Sequence, residues 1–159
     1  MALNPNGKFQ NVKASIEKYL DDSLVTTEGL LVDFEGKPFE GTGEAEWIEE
    51  RILGKGAGNF HRQVSSSLIG QTVPVLLNMN IFVNSKKTER TNRHYEIRDI
   101  IANYFKIGTQ IDLYDFSDDD WSTSLQKMEI REVTTDRAIP DPSFHMWNFT
   151  VEIHWLEQW

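Results

Sequence analysis

The sequence predicts a single α+β domain, mainly an antiparallel β-sheet with two amphipathic helices packed on one face. Three observations carry that expectation. Val73, Val75, Leu77, Met79, Ile81 and Val83 are apolar at every second position between Gln71 and Ser85. Trp147, Phe149, Val151, Ile153 and Trp155 repeat the pattern near the other end of the chain. Side chains alternate between the faces of a strand, so each run buries one face and leaves Asn78, Asn80, Asn148, Thr150, Glu152 and His154 on the other. Val12, Ile16, Tyr19, Leu20 and Leu24 instead fall on one stripe of a helix, which can cover the apolar face of such a sheet.

In chain order, the stripe predicts a helix from about Asn11 to Ser23. Leu30 to Phe34 reads as a short strand, followed by a turn-rich loop to Glu46 that holds Gly36, Pro38, Gly41 and Gly43. Trp47 to Leu53 reads as the next strand, although Trp47, Ile48, Ile52 and Leu53 do not alternate, which points to a bulge or to two partly covered faces. Gly54 to Gly70 shows no sustained period and reads as a long loop, a candidate arm toward a partner, because unstructured loops beyond about 12–15 residues are uncommon in compact domains. Ile97, Ile101, Tyr104 and Phe105 keep helical spacing, predicting a helix from about Thr88 to Lys106 with Gly108 as its stop. Ile111 and Leu113 open a strand that ends in the acidic loop Ser117 to Ser122. Leu125 to Thr134 gives another, imperfectly alternating strand, and Pro140 and Pro142 mark the connection into the last one. No internal repeat divides the chain, so residues 1–159 read as one domain.

With 159 residues, 39% of them hydrophobic, the chain can bury about 70% of its unfolded surface. It has no cysteine, which excludes disulfides and thiolate metal sites. A formal charge of -9 and a pI near 4.9 disfavour general nucleic-acid binding, which draws its affinity from Lys and Arg on phosphates. No apolar run approaches the roughly 20 residues of a membrane span. Met1 to Gln10 lacks the apolar stretch of a signal peptide, so a soluble protein made in the cytoplasm is expected.

The motifs that would carry chemistry fail at specific positions. In Gly54-Lys55-Gly56-Ala57-Gly58-Asn59, Gly56 follows Lys55 where a phosphate-binding loop needs Ser or Thr, and Asn59 stands where a dinucleotide fingerprint needs its third glycine. Asp118, Asp119 and Asp120 lack the ligand spacing of a calcium loop and read as a solvated turn. His61, His94, His145 and His154 have no zinc-binding spacing and read as surface or interface residues. Ser65 to Ser67 sit in no nucleophile elbow. Glu49 and Glu50, adjacent on a strand, point to opposite faces and cannot share a substrate atom. No catalytic residue, metal or cofactor is assigned.

Charge is divided within the chain. Lys86, Lys87, Arg90, Arg93 and Arg98 make a basic stretch after the long strand, whereas Asp33 to Glu46 and Asp118 to Asp120 are acidic. Opposite patches on one chain suit head-to-tail contact between copies. Lys55, Asn59, Phe60, His61 and Arg62 of the glycine-rich loop, with Lys86, Lys87, Arg90 and Arg93, form the candidate subunit or partner interface. Glu35, Glu40, Glu44, Asp118, Asp119 and Asp120 form the candidate complementary acidic patch.

An opening helix containing Ile16-Glu17-Lys18-Tyr19-Leu20, the run Asn78-Met79-Asn80-Ile81-Phe82-Val83 before a helix, and the last strand Phe149-Thr150-Val151-Glu152-Ile153-His154-Trp155 occur in a familiar order. Together they resemble the tail terminator and tail-completion (head–tail joining) proteins of tailed bacteriophages. The resemblance spans most of the chain, and the Gly54 to Gly70 excursion is longer than the hairpin typical of such proteins. It implies a structural virion subunit, not an enzyme, that forms a homo-oligomeric ring, typically a hexamer. Such a ring terminates the tail tube and joins tail to head or neck. The implied partners are copies of the chain, the tail tube protein, neck or connector proteins and the sheath; no membrane is involved. DNA would only pass through the lumen, which the acidic residues could line and so repel phosphates. The implied location is the tail or neck of the virion, assembled in the host cytoplasm. Two other readings stay open on the residues: an adaptor whose strand edge accepts a peptide, and a small nucleotide-binding enzyme using Gly54 to Asn59.

Overall fold

The computed structural model describes residues 3–54, 62–64, 69–88, 91–117, 121–137 and 142–158. Helix α1 (Phe9–Leu20) continues directly into a π-helical segment, Asp21–Thr27. Strands β1 (Val32–Asp33), β2 (Glu46–Gly54), β3 (Arg62–Val64) and β4 (Ile69–Asn84) follow. Helix α2 (Arg93–Tyr104) then leads to β5 (Gln110–Tyr114), β6 (Ser124–Arg137) and β7 (Phe144–Gln158).

The two alternating runs become neighbours. β4 and β7 pair antiparallel without a register break, from Gly70 opposite Gln158 to Asn84 opposite Phe144. Around them the seven-stranded sheet has the order β1-β2-β4-β7-β6-β5, with β3 beside the start of β4. Only the short β1–β2 pairing is parallel among the described strands. Val75, Leu77, Met79, Ile81, Phe149, Val151 and Ile153 are fully buried beneath both helices. From α1 and its continuation come Val12, Ile16, Leu20 and Leu24, and from α2 come Ile97 and Ile101. The helices meet where Tyr19 stands edge-on to Phe105, at 5.4 Å and 87°, and donates its hydroxyl to the carbonyl of Tyr104. The fold class read from periodicity is therefore present: one α+β domain whose sheet is covered on one face.

Several boundaries differ from the sequence reading for local reasons. The first helix runs to Thr27 because Ser23 and Thr27 hydroxyls bond the Tyr19 and Asp22 carbonyls through the wider π turns. It stops at Gly29, whose φ of 69° is costly for other residues. The second helix begins at Arg93, not near Thr88, because the chain first turns through Ser85 to Lys87 after β4. The Gly54–Gly70 excursion is not wholly unstructured: β3 pairs Arg62 to Val64 with Gln71 to Ile69. The imperfect alternation of β6 is a register shift between Ile130 and Glu132. His94, expected at the surface, is buried and stacked on His145 with centroids 4.9 Å apart.

β2 alternates after all, because the residue between Ile48 and Ile52 on the buried face is Glu50. Glu50 is fully buried, facing away from Glu49 as expected of adjacent strand residues. One carboxylate oxygen accepts the N–H of Glu35 at 2.9 Å, and the other has no hydrogen-bond partner among the described residues. Burial pushes its pKa up, the Glu35 N–H opposes this, Glu17 and Glu35 raise it further and Lys13 lowers it. A raised folded-state pKa means that the native state favours the protonated acid. That contribution is complete below the unfolded value, about 4.3, and is lost as pH rises through the folded-state pKa.

Glu50→Gln should accordingly raise stability at neutral pH, with the gain shrinking toward pH 4; urea midpoints across that range measure it. In the central strand pair, Leu77→Ala should cost about 2–5 kcal/mol, read as a lower urea midpoint at an unchanged slope.

Candidate functional site

The second face of the sheet is not covered by either helix, and its side chains form three bands. Across the middle, Asn78 donates to Thr150 at 2.9 Å and Asn148 donates to Asn80 at 2.8 Å. Thr150 in turn donates to Asn148 at 2.9 Å, and Asn80 donates to Glu49 at 3.4 Å. The belt therefore crosses β2, β4 and β7. Register makes it possible: Asn78 lies opposite Thr150, and Asn80 lies opposite both Asn148 and Glu49. Arg51 beside it bridges Asp33 at 3.2 Å and Glu49 at 3.7 Å, while His154 contacts Glu152 at 2.7 Å.

At one end of the belt is an aromatic band. Trp47 stacks on Phe82 at 4.9 Å and 15°, and Phe144 meets both edge-on. Phe39 closes over Trp47 from the acidic loop, and a Cβ on Gly41 would come within 3.1 Å of both rings, so they would have to shift by a few tenths of an ångström to admit a larger residue. At the other end, Leu53 lies opposite Leu76 and is 52% exposed. The aromatic band has no simple signature, because Phe39, Trp47, Phe82 and Phe144 are far apart in sequence.

Side chains occupy part of each lateral edge of the sheet. At the end of β5 the N–H of Tyr114 donates to Ser15, and just beyond the strand that of Phe116 donates to Asn11, each at 2.9 Å. Asn11 and Ser15 are buried one helical turn apart, on the side of α1 that meets β5. At the opposite edge, where β1 ends, the Glu35 carboxylate accepts the N–H of Ile52 at 3.3 Å. These side chains occupy donors that an added strand would need.

The charged residues singled out from sequence are only partly brought together. Arg93 grips Glu46 through two nitrogens, at 2.7 and 2.8 Å, and Glu96 at 3.1 Å. Its hydrogen bonds to Glu46, then to Glu96, hold its pKa above the ordinary arginine value. Lys87 bonds the Gly43 carbonyl, so the basic stretch and the acidic loop meet within one molecule. Lys86, Glu40 and Glu44 are exposed, while Glu35 is half-buried in the edge plug described above. Arg62 lies in β3. Lys55, Asn59, Phe60, His61, Arg90, Asp118, Asp119 and Asp120 lie outside the described residues, as do Ser65 to Ser67 and most of the glycine-rich loop. Among the described residues, no cluster of three or more His, Asp or Glu is placed to hold a metal, and no helix is long and apolar enough to cross a membrane.

No family model matches this sequence, and no curated protein matches it. Solved structures do match in fold. One aligns over 93% of this chain and 95% of its own, with a TM-score of 0.64 at 12% identity, and the name it carries describes no activity. At that identity the likeness establishes a shared fold.

Proposed function

We propose that this chain is a structural subunit of a phage tail, a tail terminator or closely related head–tail joining protein that works as a homo-oligomeric ring. The observation that supports it most is the uncovered sheet face. A hydrogen-bonded polar belt between an aromatic band and a leucine band is a surface with internal order and, among the described residues, no covering layer. Aromatic and leucine side chains flanking a hydrogen-bonded polar belt give the mixed apolar and polar surface that protein contacts use. The side chains that occupy part of each edge favour contact through this face over addition of a peptide strand.

In this reading the outer face meets other tail components, the tube protein below and the neck above. The ring would stop tube growth and let DNA through its opening. The net charge of -9 is compatible with that passage, because carboxylates toward a lumen repel phosphates. The role is mechanical and needs no cofactor.

Purified protein should form closed rings, expected as hexamers, in negative stain and mass photometry; a strict monomer through the micromolar range would count against the proposal. Leu53→Asp, at the exposed end of the outer face, should leave the unfolding free energy within about 0.5 kcal/mol of the parent. Its co-sedimentation with tail tubes should fall, and retention of full binding would remove the outer face from the contact.

A further inference from the structure

We propose that Glu50 is a proton-operated latch: with its carboxyl protonated it holds the root of the acidic loop against β2, and its ionisation releases that root and the loop's cover over the aromatic band. The bracket it closes is reciprocal. Glu50 accepts the N–H of Glu35 at 2.9 Å and Glu35 accepts the N–H of Ile52 at 3.3 Å, so side chains replace main-chain acceptors and donors where β1 has ended. Lys13 on α1 donates to the Glu35 carbonyl at 3.4 Å. Glu35 is thus held at its N–H, its carbonyl and its carboxylate, and the loop leaves the fold from this one residue.

The group that closes the bracket sits where a charge is costly. Glu50 is fully buried between Ile48 and Ile52 on β2 and lies opposite Met79 on β4, all of them core residues. Its second oxygen has no hydrogen-bond partner among the described residues. The charged groups that face it are Glu17 and Lys13 from α1 and Glu35 from the loop, and Lys13 is already paired with Glu17. Arg51, next in sequence, bridges Asp33 and Glu49 on the other face of the sheet. An ionised Glu50 therefore meets two like charges, one shared cation and an unsolvated oxygen, and water reaches that oxygen when Glu35 moves away.

Beyond its root the loop is lightly fastened. Phe39 packs on Trp47 with centroids 5.9 Å apart, Lys87 bonds the Gly43 carbonyl, and Glu40 and Glu44 are exposed. Release at Glu35 lets Phe39 leave Trp47 and so widens the aromatic band of the outer face. The latch is a property of one chain and is independent of the ring reading.

In the released state Glu50 meets water and ionises above its ordinary value of about 4.3, whereas the closed latch keeps its proton to higher pH, so each opening in that window releases one proton. The opening constant should then rise by up to about tenfold per pH unit above about pH 4.3 and level off once the closed form is ionised. Hydrogen–deuterium exchange of the full chain from about pH 5 to 9, corrected for the intrinsic pH dependence of exchange, reads this at the amides of Glu35 and Ile52. Protection there should fall with pH, and at the alkaline end these amides should exchange at least about tenfold faster than those of Leu77 and Val151 in the central strands. Glu50→Gln keeps an acceptor for the Glu35 N–H but cannot ionise, and should give a flat profile. A flat wild-type profile, a pH slope that survives Glu50→Gln, or equal exchange at the loop root and the central strands would overturn the latch. If Glu50→Gln does not fold, Glu17→Gln carries the test: removing a like charge that faces Glu50 should end the rise at lower pH, and an unchanged profile would overturn the proposal.

Discussion

The continuous antiparallel pairing of β4 with β7 is the constraint on which the rest of the molecule depends. β2 and β3 take the other side of β4, and β6 with β5 extends from β7. A shift of one residue in this pairing would exchange the faces of one strand, placing Asn148 and Thr150 under the helices and Phe149 and Val151 outside. The register is specified twice, by apolar burial on one face and by complementary amide and hydroxyl groups on the other.

From that alignment comes the asymmetry that shapes function. Two helices cover one face, and α1 also seals an edge with Asn11 and Ser15, so one element acts as lid and edge guard together. Glu35 and Glu50 guard the opposite edge by exchanging side-chain for main-chain hydrogen bonds where β1 runs out. The cost is a buried carboxylate with one oxygen unpartnered among the described residues, while its other oxygen secures the start of the acidic loop. With part of each edge occupied, the outer sheet face is the broader surface left for partners.

Much of the architecture was legible because period is a local property. The stripe Val12, Ile16, Leu20, Leu24 and the alternation of residues 73–83 identify helix and strand without knowledge of what they touch. β2 was harder: Glu50 occupies a core position, and no local rule separates a buried glutamate from an exposed one. β3 was missed because three residues are too few to show a period. The charge reading was limited in another way. Arg93 belongs to the basic stretch in sequence, yet it is committed to Glu46, 47 residues away, so composition overstated what that stretch has to offer.

The sequence by itself determined the fold class, the two one-faced strands, the helical stripes and the lack of recognisable catalytic spacing, since each depends on neighbours within a few residues. Tertiary structure alone decided which polar groups meet. The belt from Glu49 through Asn80 and Asn148 to Thr150, the side chains that occupy part of each edge and the burial of Glu50 all depend on register and packing between distant segments. Periodicity states which face a side chain takes; only the assembled sheet states what is waiting there.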